Sequence, residues 1–317
     1  MRQITGNNLV RTYGGTLAAL VGLMVLFSFT NDYFFNARNL GNILLQMTVV
    51  ALLAYGMTYV LMLGEIDLSV GSIVAVSGVS LGLMLQAGWN PWLAIVVTMA
   101  VGIACGFVNG WLSAYLKIPT FIVTVATMGI FRGVGQALTN AKAVSVDEPT
   151  VEWLGTGEIA GIGVPIIIML IVLLVMNTVL TRTKFGRQAV LTGGNRDAAR
   201  FAGIKVQRLQ VKVFIIIGAC AALAGILLTS RQYSAQPNAA DGYELDAIAA
   251  AVLGGTSLNG GRGTVFGTFI GALIIAVVNN GMNLMGVESY LQKIVKGVII
   301  ILAVWVDVRS KRPGKAN

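Results

Sequence analysis

Two carboxylates each open an apolar stretch of small residues, Asp67 in GEIDLSVGSIVAVSG from Gly64 and Asp246 in GYELDAIAAAVLGG from Gly242. Buried acids of this kind, like histidines, are what an ion-coupled transporter uses for coupling. The 317-residue chain contains no histidine. That absence removes His-based acid–base catalysis, Ser-His and Cys-His nucleophile pairs and His-dependent zinc motifs together. The two cysteines, Cys105 and Cys220, sit inside apolar runs and read as small core residues, so neither a disulfide framework nor a metal cluster has support. No cofactor is implied. Polar residues inside apolar runs are few: Asn109, Thr124, Thr127, Arg132, Asn279, Asn280 and Asn283. In hydrocarbon each of these must face a partner or water. Asn279 and Asn283 lie one helical turn apart and can donate and accept hydrogen bonds along a sugar-sized hydrophilic path. Taken singly, each reads first as interhelical glue.

Glycine supplies the second group of candidates. The apolar run from Leu245 to Leu258 is too short to cross a bilayer core of about 30 Å, and Gly254, Gly255, Gly260, Gly261 and Gly263 crowd its end. A broken or re-entrant helix fits that pattern, with Gly254 and Gly255 expected to turn the backbone at positive φ and line a path; a short tilted helix packed through its glycines fits as well. GTSLNGGRG is not a phosphate-binding loop, since Gly255 to Gly260 is followed by Gly261 and Arg262 where a Lys-Ser/Thr pair is required. Glycines four apart at Gly78/Gly82, Gly102/Gly106/Gly110 and Gly267/Gly271 predict faces for close helix–helix approach.

The elements that position these residues follow from composition. Hydrophobic residues make up 56% of the chain and charged ones 11%, too few charges to cover a soluble globule, so the outer surface must face lipid. Long apolar runs exclude the alternating segments of about 10 residues that build a transmembrane barrel. The reading is an all-α polytopic membrane bundle with spans near 14–30, 43–63, 68–87, 92–116, 119–140, 163–181, 211–230, 245–258, 264–285 and 291–307. The first run lacks a small-residue cleavage site and reads as a retained helix. About 10 transmembrane helices in one domain, with short broken helices among them, are therefore expected. The two acid-headed segments suggest a 5+5 inverted repeat with halves of roughly 1–140 and 163–307.

The net charge of +9 reflects topology rather than nucleic acid binding. Residues 182 to 212 carry Arg182, Lys184, Arg187, Arg196, Arg200, Lys205, Arg208 and Lys212 against one acid, Asp197, whereas 141 to 162 hold Lys142 against Asp147, Glu148, Glu152 and Glu158. Counting Lys and Arg puts the basic loop, the tail bearing Arg309, Lys311, Arg312 and Lys315, and both termini in the cytoplasm. Lys293 and Lys296 are the exception, near the outer end of the last span, where snorkelling is one way to accommodate them. Within the basic loop Asn195 is expected to cap a short helix RDAARFA that ends at Gly203, and a structured helix there implies a docked partner.

Three blocks, IDLSVGS from Ile66, TKFGRQAVLTGGNRDAARFAGIKV from Thr183 and SAQPNAADGYELDAIAAAVLGGTSLNGGRGTVFGTFIGALI from Ser234, resemble in order and spacing the signature blocks of the integral membrane permease of ribose-type ABC importers. The resemblance covers nearly the whole chain. It implies a non-enzymatic homodimeric permease in the lipid of a bacterial inner membrane, served by a periplasmic sugar-binding protein and a separate ABC ATPase subunit that hydrolyses the ATP. It places Gly186, Arg187, Gly194, Asn195, Ala199 and Gly203 at the ATPase contact. The residues themselves, rather than the resemblance, put Asp67, Ser69, Asp246, Gly254, Gly255, Asn279 and Asn283 along the translocation pathway. Glu65 departs from the pattern, many relatives having Gly there. The competing class is an ion-coupled secondary transporter, which the inverted repeat alone would also allow; acids confined to span ends, with Arg132 the only clear mid-span charge, count against proton coupling.

Overall fold

A computed structural model describes residues 6–310, leaving Arg2 and the tail cations Lys311, Arg312 and Lys315 outside the described residues. The chain is a helical bundle: α1 (Gly6–Thr30), α2 (Ala37–Met62), α3 (Val70–Gln86), α4 (Pro91–Tyr115), α5 (Thr120–Thr139), α6 (Pro149–Thr156), α7 (Val164–Arg182), α8 (Lys184–Gly194), α9 (Arg196–Phe201), α10 (Val206–Gln232), α11 (Tyr243–Leu253), α12 (Val265–Leu284) and α13 (Ser289–Ser310). Two-residue strands β1 (Val144–Ser145) and β4 (Ser234–Ala235) pair antiparallel, as do β2 (Glu158–Ile159) and β3 (Ile162–Gly163).

Local chemistry sets the helix starts. The side chain of Asn90 accepts from the amides of Trp92 and Leu93 ahead of Pro91, and Thr264 accepts from Gly267 at the start of α12. Both satisfy amides that a helix leaves unpaired at its first turn. α2 and α10 are apolar around their whole circumference and buried along most of their length, so they form the centre. The outer helices α4 and α5 show a large share of exposed apolar side chains, among them Val96, Phe107, Ile122 and Ile130. That is the pattern of a surface solvated by lipid.

The glycine faces pack as their spacing predicts. A Cβ on Gly106 would strike the carbonyl of Phe214, and one on Gly110 would come within 2.8 Å of the Val211 Cα, so α4 and α10 meet backbone to backbone. Gly271 and Gly267 admit α11 to α12 in the same way, through Ala250 and Gly254. Polar residues close the centre: Asn39 and Asn280 exchange two hydrogen bonds of 3.0 and 2.9 Å between α2 and α12, and Thr58 meets Thr268 at 2.6 Å.

Length and hydropathy alone account for part of the expected span count. Among the described residues seven helices are long and apolar enough to cross a membrane: α1, α2, α4, α5, α7, α10 and α12. α3, with 17 residues, and α11, with 11, reach only about 26 and 16 Å at 1.5 Å per residue. α13 carries Lys293 and Lys296 in its first half.

Candidate functional site

The middle of α2, the starts of α11 and α13, the end of α10 and the second half of α12 enclose a cavity of about 360 Å³ lined by Gln46, Met47, Val50, Arg231, Tyr243, Asp246, Ile275, Ala276, Asn279, Asn283, Gln292 and Lys296. Three predicted pathway residues, Asp246, Asn279 and Asn283, therefore share one chamber. Asp246 is buried in the first turn of α11, where the unpaired helix amides favour an anion. Lys296 from α13 donates to it at 2.8 Å. Asn283 accepts from Gln292 at 2.8 Å, and the buried Asn279 Oδ1 has no hydrogen-bond partner. Arg231 donates to the Leu45 carbonyl at 2.8 Å. The two lysines that broke the charge pattern differ: Lys296 turns into this cavity, whereas Lys293 is exposed and pairs with the exposed Asp241 at 3.6 Å.

Asp67 and Ser69 lie elsewhere, in a fully buried knot at the head of α3. The Asp67 carboxylate accepts from the Ser69 amide at 2.8 Å and its hydroxyl at 2.6 Å, and Asn109 of α4 donates to that hydroxyl at 2.7 Å. This is a stop that fixes where α3 begins. Gly254 and Gly255 sit at the foot of α11, outside the cavity, and only one of them has the expected positive φ. Gly255 has φ +89, but Gly254 has φ −72 and is needed because a Cβ there would collide with the Gly267 carbonyl region of α12. Arg132, read from the sequence as a mid-span charge, donates to the carbonyls of Pro237 and Ala239 at 3.1 and 2.6 Å, pinning the loop before α11.

At the opposite end of the bundle the basic loop folds as its caps predict. Asn195 accepts from the Ala198 amide at 2.9 Å and Gly203 follows α9 at φ +81. Arg187, Gly194, Asn195 and Gly203 are exposed, while Gly186 and Ala199 are buried. A Cβ on Gly186 would hit the Leu180 carbonyl, so that glycine lets α8 fold back on α7. Sequence reasoning missed Phe201, 92% exposed at the end of α9, and Leu191, 60% exposed on α8; a bulky apolar residue on a short capped helix in a charged loop is the signal that marks them. The loop is braced against the bundle. Phe185 stacks on Tyr59 of α2, Gly193 leaves room for the backbone at Met62 and Gly261, and the Gly261 amide donates to the Met62 carbonyl at 2.9 Å. Arg196 forms an ion pair with Glu65, the residue that departs from the expected pattern.

Comparison with known proteins places this architecture. Residues 39–304 match the family described as branched-chain amino acid transport system, permease component. The chain is 43% identical to the ribose import permease protein of Bacillus subtilis, with 92% of each chain covered, and 44% identical to that of Escherichia coli K12, covering 93% of this chain and 94% of the relative. It is 37% identical to the xylose transport system permease protein of Escherichia coli K12, over 93% of this chain and 91% of that one. No solved structure matches significantly.

Proposed function

The chain belongs to the permease-component family of ABC importers, and from that premise we propose that two copies form the membrane pathway for a ribose-type monosaccharide. As a transport subunit it performs no chemistry itself; an ATPase subunit and a periplasmic binding protein are the partners that the family implies. The observation that carries the reading is the cavity around Asp246, Asn279 and Asn283, a polar chamber inside an apolar bundle. Hydroxyl-bearing solutes need donors and acceptors in place of lost water, and amide and charged side chains supply both.

The finer architecture is part of the proposal. α10 packs against α3 and α4 as α2 packs against α11 and α12, each pair joining a short acid-headed helix to a full-length one. That pattern favours ten crossings in a 5+5 inverted repeat, with the short helices α3 and α11 as related members of the two halves. The glycines of α4 make its close contact with α10, and those of α12 make its close contact with α11. The homodimer reading draws on α5, whose Gly129 and Gly133 lie four apart with nothing within 4 Å, an open close-approach face.

Coupling runs through the basic loop. We assign its exposed Arg187, Gly194, Asn195 and Gly203 to the ATPase-facing surface, with buried Gly186 and Ala199 shaping it. A push on α8 and α9 is delivered to the end of α2 and to the loop after α11 through Gly193, Gly261 and the Arg196–Glu65 pair. ATP binding then shifts the equilibrium between cavity openings, which requires only that the two nucleotide states differ in affinity for them. Asp67 and Ser69 hold the head of α3, and Gly254 and Gly255 hold the foot of α11, at the ends of the two helices expected to move.

Orientation follows from charge. The loop end bears eight Lys/Arg in residues 182 to 212, and the other end bears Asp147, Glu148, Glu152 and Glu158, so the loop and both termini are assigned to the cytoplasm of a bacterial inner-membrane protein. With Cys105 and Cys220 replaced, an impermeant thiol reagent added to whole cells is expected to label Glu158→Cys and spare Arg200→Cys. The reverse pattern overturns the orientation. For function, the permease reconstituted with its ATPase and binding protein is expected to take up D-ribose or D-xylose only with ATP. Uptake driven by a proton or Na⁺ gradient without the ATPase would instead place the chain among secondary transporters.

A further inference from the structure

We propose that the cavity is a resident binding site for an aldopentose, and that the Asp246–Lys296 pair grips two neighbouring hydroxyls of the sugar: the carboxylate accepts from one and the ammonium donates to the next. This deepens the pathway reading and rests on it. A conduit needs only to be wet, whereas this chamber is more specific than that. It places a carboxylate and an ammonium 2.8 Å apart on different helices, α11 and α13, and charges removed from water are costly unless paired. Asp246 is 2% exposed and Lys296 25% exposed in their side chains, so neither charge is held by bulk water alone. A pair of opposite charges is neutral as a unit, which suits a neutral ligand.

The remaining polar groups fit the same ligand. The Asn279 Oδ1 is buried with no partner, a costly state unless something donates to it, and a third hydroxyl can do so. Arg231 is fixed by the Leu45 carbonyl through Nη1, leaving further guanidinium N–H groups for a ring or hydroxyl oxygen. No carboxylate forms an ion pair with Arg231 among the described residues, so it is held as a donor rather than as half of a second pair. The volume of about 360 Å³ lies at the small end of the range of roughly 300–1,000 Å³ for small-molecule pockets. Because the gripping groups come from α11 and α13, a sugar entering between them separates the two helices, and occupancy is thereby tied to movement of the short helix.

The test uses the full permease with its ATPase in lipid nanodiscs, with Cys105 and Cys220 replaced and Gln46→Cys, exposed on the cavity wall, as reporter. D-Ribose and D-xylose are each titrated against labelling by an impermeant methanethiosulfonate. Saturable protection by at least one of the two is expected, with the half-protecting concentration raised tenfold or more by Lys296→Gln or by Asp246→Asn. Either single change leaves an unmatched group in the cavity, so the double variant Asp246→Asn with Lys296→Gln, which keeps a neutral hydrogen-bonded pair, guards against misfolding; it too is expected to weaken protection while remaining complexed with the ATPase. Absence of protection by both sugars overturns the resident site, as does protection that none of the variants alters. ATP-driven uptake separates the two levels. Uptake lost in Asp246→Asn without any protection in the parent leaves the pathway reading standing and removes the site; normal uptake in the double variant removes both.

Discussion

Replacing Phe201 by aspartate is expected to release the ATPase while leaving the permease folded in the membrane. Phe201 is 92% exposed and ends a helix that is fixed at both ends, by the Asn195 cap and by Gly203 at φ +81. An exposed aromatic ring on a capped helix that also carries Arg196 and Arg200 has the makeup of an interface anchor, since aromatic side chains have few rotatable bonds to lose on docking and bury a large apolar surface. Losing an anchor of this kind costs about 2–4 kcal/mol, on the order of 30- to 700-fold in affinity. The bundle does not use the ring, so thermal stability of the isolated permease should not move. Gly194→Trp is an independent probe of the same surface: nothing lies within 4 Å of a Cβ there, so the fold accepts the side chain, but its bulk stands where the partner must sit. Arg187→Glu reverses one exposed charge of that surface and should act in the same direction. Co-purification with the ATPase and sugar-stimulated ATP turnover are the readouts. Wild-type values for both in Phe201→Asp and Gly194→Trp would remove the coupling role of the loop.

What could be read in the sequence was what depends on neighbours along the chain. The Asn195 cap and the Gly203 stop act over a few residues, and both formed where composition placed them. Helix positions were legible because burial in lipid demands apolar runs, although length and hydropathy alone establish only seven of the expected crossings. Contacts across the bundle were not legible. Lys296 looked like a misplaced surface charge until α13 brought it to Asp246, fifty residues earlier in the chain. Glu65 read as a stray acid beside Asp67, whereas its partner is Arg196 on the cytoplasmic loop. Asp67 and Asp246 looked alike because each precedes a small-residue helix, yet one is tied up by its own Ser69 and the other faces a cavity. The motif fixes the helix start in both; the neighbouring helices decide whether the acid remains available.

The glycine faces allow the most severe test of the packing. Gly106→Leu in α4 is expected to abolish accumulation of folded permease, whereas Gly133→Leu in α5 is expected to leave the protomer intact and weaken the dimer. At Gly106 a Cβ would run into the Phe214 carbonyl, and a Cβ on Gly218 across the same seam would lie only 3.1 Å from the Gly106 Cα. The obstacle is backbone on both sides, which no rotamer change relieves. Overpacking an ordinary core site costs about 1–3 kcal/mol because side chains can shift; here α4 and α10 must separate along their whole seam, losing the contacts at Gly102 and Gly110 as well. In hydrocarbon the lost close approach is not compensated by water exclusion, since van der Waals packing is itself the main attraction between helices. Gly133 has nothing within 4 Å, so the same leucine meets no resistance from its own chain. Fluorescence-detected size exclusion before and after heating, with cross-linking between copies, distinguishes the two. A Gly106→Leu protein as heat-resistant as Gly133→Leu would show that the seam tolerates separation. A Gly133→Leu protein that cross-links like its parent would remove α5 as the dimer face while leaving the seam argument intact.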